Sequence, residues 1–89
     1  MKCRRKGPSV SGVRFMPHEE MKEFSDFVAR HCDDYRLASQ EGLIRACVTL
    51  KNHRGQVNLG PGHWLVVLEG GDVLGLPDDR FHDAFEVVP

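Results

Sequence analysis

The sequence predicts an α+β domain: a mostly antiparallel sheet of about five to six strands, with one long amphipathic helix packed on one face. Three observations lead there. Met21, Phe24, Val28 and Cys32, with Phe27, make an apolar stripe at helical spacing. Residues 43–51 alternate apolar and polar with period two. Glycine- and proline-rich turns then divide residues 52–77 into runs of strand length. The expected order is β-α-β-β-β-β-α-β within a single domain, 1–89, whose first eight residues form a basic segment open to fraying.

Each element has its own warrant. Ser9 to Met16 alternates as a first strand, with Val13 and Phe15 on one face. Pro17 can open a helix without forfeiting a needed N–H. Glu19 and Glu20 in its first turn, and Arg30 and His31 in its last, suit the helix dipole. The polar stretch DDYRLASQEG, 33–42, reads as a loop. Ile44, Ala46, Val48 and Leu50 alternate with Arg45, Cys47, Thr49 and Lys51, a half-buried strand. Asn52 to Gly55 is a turn, and Gln56 to Leu59 pairs back. Trp64 to Leu68 is apolar at every position, as a strand covered on both faces must be. Glu69-Gly70-Gly71-Asp72 has hairpin composition and returns Val73 to Leu76. Asp78 is expected to cap a short helix carrying Phe81, Ala84 and Phe85, and Glu86 to Val88 adds an edge strand.

Composition bounds the function. Eighty-nine residues give one thin core. No run approaches the roughly 18 apolar residues of a membrane span, so no membrane partner is expected. The basic N-terminus lacks the apolar stretch of a signal peptide. Three cysteines without a CxxC pair suit a reducing compartment, so a cytoplasmic protein is expected. The net charge of -1 conceals segregation. Residues 1–14 are purely basic and 15–44 mostly acidic; 45–58 add Arg45, Lys51 and Arg54 without an acid, and the remainder is acidic but for Arg80. A two-signed surface favours oriented binding to a charged partner.

The stretch GPGHWLVVLEGG is glycine-rich at both ends, yet its glycines lead into or between strands. A phosphate loop needs them between a strand and a helix N-terminus. They read as turns. The five histidines form no HxH, HxxxH or HExxH set, so neither a metal nor a cofactor is expected. A Cys47–His63 pair across strands has nothing to single it out, and Cys32 falls on the apolar stripe. Asp33-Asp34 and Asp78-Asp79 read as capping and solvated carboxylates. No catalytic residues are assigned. The basic opening invites a nucleic-acid partner, but Phe15, Phe24, Phe27 and Trp64 fit core positions better than stacking platforms. Nucleic acid therefore ranks below protein.

The opening MKCRRKGPSVSGVRF, the helix after it, and the close GPGHWLVVLEGGDVLGLPDDRFHDAFEVV together resemble a family of small bacteriophage and prophage proteins. Its members begin with an MKYRKKP-type string and end in a PGDYG-type module. Lys2, Arg4, Arg5 and Lys6 match the basic opening, and Val13 and Phe15 the first strand. Pro61, Gly62 and Trp64 match the PG-aromatic turn, Pro77, Asp78 and Phe81 the PDxF segment, and Phe85 and Glu86 the close. His63 stands where the family has Asp, and Leu74-Gly75-Leu76 replaces a more polar, aromatic segment; a ligand contact made there in relatives would be changed here.

The resemblance implies an accessory protein of an infected or lysogenic bacterium. The expectation is a non-enzymatic protein that docks on a host protein complex, as an anti-CRISPR-like inhibitor of bacterial immunity does. Its docking surfaces would be an acidic helix face (Glu19, Glu20, Glu23, Asp26) or the acidic C-terminal segment, the basic segment (Lys2, Arg4, Arg5, Lys6, Arg54) and the motif turn Pro61-Gly62-His63-Trp64. The alternative is a homo-oligomeric small-ligand or nucleotide-sequestering protein whose basic segments line a pocket. Unpaired edges in a small sheet favour a homodimer.

Overall fold

Two antiparallel sheets and two helices make up the computed structural model, which describes residues 2–5, 9–19 and 21–88. In chain order the elements are β1 (Lys2–Arg5), β2 (Ser9–Arg14), α1 (Lys22–His31), β3 (Asp34–Gln40), β4 (Leu43–Thr49), β5 (Gln56–Leu59), β6 (Trp64–Val67), β7 (Val73–Leu76), α2 (Asp78–Ala84) and β8 (Phe85–Val88). One sheet has the order β7-β6-β2-β1-β8 and the other β3-β4-β5. The α+β class stands, but the single sheet of the sequence reading divides in two.

The central strands of the five-stranded sheet, β2 and β6, are buried on both faces. Val13 pairs with Leu65 and faces a core completed by Phe24, Phe27 and Val28 of α1, Ala46 and Val48 of β4, and Leu59 of β5. On the opposite face Val10 and Val66 pack with Trp64, Phe81 and Phe85, so α2 forms a third layer. The uniformly apolar β6 follows from this: Leu65 faces one core while Trp64 and Val66 face the other. Each fully buried large side chain contributes about 1.5–3 kcal/mol relative to exposure.

The two sheets meet where β7 crosses β5. A Cβ at Gly75 would lie 2.6 Å from Val57 Cγ1 and 2.9 Å from Leu59 Cδ2, so only glycine lets the strands approach this closely. The turn at Gly60-Pro61-Gly62 hands the chain from β5 in one sheet to β6 in the other. The Glu69–Gly71 turn joins β6 to β7 as the expected hairpin, pairing Val67 with Val73.

Four expectations change. Residues 2–5, to which the sequence assigns no element, form β1 between β2 and β8, with Cys3 opposite both Val10 and Val87. The helix starts at Lys22, not Pro17, because Pro17–Glu19 forms a turn closed by the Glu19 N–H on the Met16 carbonyl (3.1 Å). It is therefore ten residues long rather than about sixteen, and it lies against β2 and β3 rather than on one sheet face alone. Residues 34–40 are a strand, not a loop, pairing with β4 along their whole length. The order is accordingly β-β-α-β-β-β-β-β-α-β.

Candidate functional site

The motif residues of the C-terminal half converge on Asp78, the first residue of α2. Its Oδ1 accepts the Trp64 indole N–H at 2.9 Å and lies 3.5 Å from an Arg14 guanidinium nitrogen and 3.2 Å from His82 Nε2. Trp64 stacks on Phe81 with ring centroids 3.8 Å apart and planes within 7°, and Phe81 stacks on Phe85. Arg14 also donates from Nε to the Gly62 carbonyl (3.3 Å), tying the PG turn to the start of α2.

The indole bond is the largest influence on Asp78 and, together with the positive charges of Arg14 and His82, outweighs the opposing effect of burial and holds the carboxyl below the usual carboxylate range. A carboxylate so stabilised is a weaker base, the wrong direction for general-base work at neutral pH. The cluster is a lock between β2, β6 and α2. The expected cap is also corrected: Pro77 takes the N-cap position with no side-chain bond, because the Asp78 carboxylate turns away to Trp64.

His63 has a local role as well. Its Nδ1 accepts the Gly60 N–H at 3.1 Å, and its carbonyl accepts the Phe15 N–H at 2.8 Å. Accepting at Nδ1 leaves the proton of the neutral ring on Nε2. Pro61 and Gly62 complete the turn, Gly62 with φ of 81° and its N–H on the Phe15 carbonyl (2.7 Å). The four motif residues thus build the crossing between the sheets. Cys47 lies on the face of β4 opposite the buried Ala46 and Val48. Cys32 is buried, which pushes its thiol up.

The acidic helix face is less uniform than its sequence suggests. Glu23 and Asp26 are exposed on α1, but Lys22 and Arg30 stand one turn on either side of Asp26. Glu19 is exposed in the preceding turn, and Glu20 lies outside the described residues. Of the basic segment, Lys2, Arg4 and Arg5 lie on β1, with Arg4 opposite Glu86 of β8, while Lys6 lies outside the described residues. Arg54 lies in the connection between β4 and β5 of the other sheet, directly after the Lys51–His53 turn. Phe15, Phe24, Phe27 and Trp64 are buried, which removes them as platforms for bases.

A cleft of about 740 Å³ opens between the Lys51–His53 turn and the Glu69–Gly71 turn. Leu50, Val67 and Leu68 supply apolar lining, Lys51 and Arg54 supply cationic groups, and His31 adds an imidazole. Asp72 is the acidic residue in the lining. Burial lowers the His31 pKa, helped by the positive charges of Arg30 and Lys51, and its ring packs on Phe27 at 4.6 Å. The sequence marks Lys51 and Arg54 as a basic segment. It does not show that the end of α1 and the β6–β7 turn close around them, because these parts are far apart in the chain.

No protein-family model, curated protein or solved structure matches the chain.

Proposed function

We propose that the chain is a non-enzymatic binding protein that sequesters a small organic anion of nucleotide type in the cleft between its two turns. The observation that carries this reading is the pairing of apolar lining with Lys51, Arg54 and His31 in one concavity. Its volume of about 740 Å³ falls within the roughly 300–1,000 Å³ of small-molecule sites. An apolar wall suits a base or ring, and two cations suit a phosphate or carboxylate. The resemblance to phage and prophage accessory proteins supports a sequestering role inside a bacterium.

Thermal denaturation against a panel of mononucleotides, dinucleotides and cyclic nucleotides tests it. A ligand at one hundred times its dissociation constant stabilises by about 2.7 kcal/mol, which raises the Tm of a domain this size by on the order of ten degrees. The shift should shrink with salt and vanish in a Lys51→Glu/Arg54→Glu variant. A flat response across the panel, or a shift the variant retains, sinks the reading.

A second reading is docking on a host protein complex as an inhibitor of bacterial immunity. Asp79 and Asp83 are exposed one turn apart on α2, with Arg80 and His82 exposed between them in the sequence. This reading expects phage plating on a CRISPR-immune strain to recover when the chain is expressed, and to fall again with Asp79→Lys/Asp83→Lys. Unrestored plating counts against it.

A further inference from the structure

The β3–β4 hairpin carries an edge that no other strand covers among the described residues, since β3 ends the order β3-β4-β5. Residues 36–40 are all exposed, and Leu37 retains 50% of its surface. The orientation of the free backbone groups follows from the turn. Glu41 and Gly42 both have positive φ (54° and 79°), the two-residue turn that makes its flanking pair, Gln40 and Leu43, hydrogen-bonded. Antiparallel pairing alternates, so Asp34, Arg36, Ala38 and Gln40 bond toward β4 while Tyr35, Leu37 and Ser39 aim their N–H and C=O groups outward. The Tyr35 N–H agrees: it bonds to the Asp34 carboxylate at 2.8 Å rather than to β4.

We infer that two copies of the chain pair through this edge, β3 against β3, antiparallel about a two-fold axis at Leu37. The register is selected by the residues. Centred on Leu37, Tyr35 meets Ser39 of the second copy and Leu37 meets itself. The Leu37 and Ser39 N–H groups of both copies then find carbonyls, and two further bonds form where Asp34 releases the Tyr35 N–H. Arg36 stands opposite Ala38, and Asp34 opposite Gln40, so no like charges are directly opposed. Centring on Arg36 instead would set the two arginines against each other. Centring on Ala38 would form no more undisturbed bonds and would leave Leu37 opposite Ser39. In the Leu37 register the two leucines, which share a sheet face with Ala46 and the half-buried Ile44, cover each other. The two three-stranded sheets become one of six strands, closing the exposed edge by isologous contact.

Sedimentation equilibrium on the full chain tests the pairing, with an expected dissociation constant in the micromolar range. Ser39→Pro removes an outward N–H that β4 does not use, so it should leave the circular dichroism and melting of the monomer intact and weaken the dimer at least tenfold. Should that variant fail to fold, Leu37→Lys serves the same purpose through like-charge repulsion. Register is read by cysteine cross-linking in a Cys3→Ser/Cys47→Ser background: Leu37→Cys should oxidise to a disulfide-linked dimer, and Arg36→Cys should do so far less. The proposal is overturned by a wild-type chain monomeric at 1 mM, by a dimer that Ser39→Pro and Leu37→Lys both leave unchanged, or by equal cross-linking at 36 and 37. Pairing of this edge with a different protein while the chain alone stays monomeric also overturns it.

Discussion

Asp78 concentrates three donors on one carboxylate oxygen, and those donors come from β2, β6 and α2 itself. Its folded pKa is depressed below its ordinary 3.8, so the carboxylate supports the fold above that value. That support is lost as pH falls through the depressed value. Asp78→Asn should therefore lower the Tm at pH 7 and lose that deficit as pH falls below the ordinary 3.8 and through the depressed value, which parallel melts across the acid range will show. His31 has the same sign by another route. Burial favours its neutral ring, so the unfolded chain takes up the proton first as pH drops below the ordinary 6.5, and stability declines there. The residues that the family resemblance marks, Pro61, Gly62, Trp64, Asp78 and Phe81, were legible as a group in the sequence. Their joint role was not, because an indole fourteen residues from its carboxylate leaves no periodic trace.

The elements divide by how many of their faces are dry. β6 was readable because both faces are buried, and β4 because one is; its Ala46 and Val48 have no exposed surface. In the sequence β3 reads as a loop because its outer face and most of its inner face are wet, which erases the alternation that marks a strand. What makes it a strand is the turn beyond it, where Gly42 accepts positive φ at little cost and Glu41 does not. Glu41→Asn places the preferred Asn-Gly pair in that turn and should raise stability by about 0.5–1 kcal/mol. Urea titration checks this: a midpoint no higher than that of the wild type would show that the turn is not limiting. The helix start was misplaced for a related reason. Pro17 suits a first helical turn and a β-turn equally well, and only the Met16 carbonyl decides between them.

At the scale of the molecule, the length of the chain implies one thin core, and the structure has two. Two cores on opposite faces of one sheet require partners from both ends of the chain, and hydrophobic spacing is blind to such distances. The same holds for charge. Segregated segments suggest separated patches, yet the register of β1 with β8 brings the basic opening and the acidic close of the chain into neighbouring strands. The architecture depends on the absence of a side chain at Gly75, where β7 crosses β5. Gly75→Ala should cost about 1–3 kcal/mol as overpacking, since Val57 and Leu59 must both move. That corresponds to a Tm drop on the order of ten degrees by calorimetry. An unchanged melting point would mean that the sheets can slide apart freely, contrary to the crossing described.

The place of β1 between β2 and β8 also orders events in time. On a ribosome β2 is available to β1 almost at once, while β8 emerges about eighty residues later. At about 5–20 residues per second the other flank of β1 therefore stays open for roughly 4–16 s. During that interval its backbone is an adhesive margin on a nascent chain, and its closure must await synthesis of the final strand of the sheet.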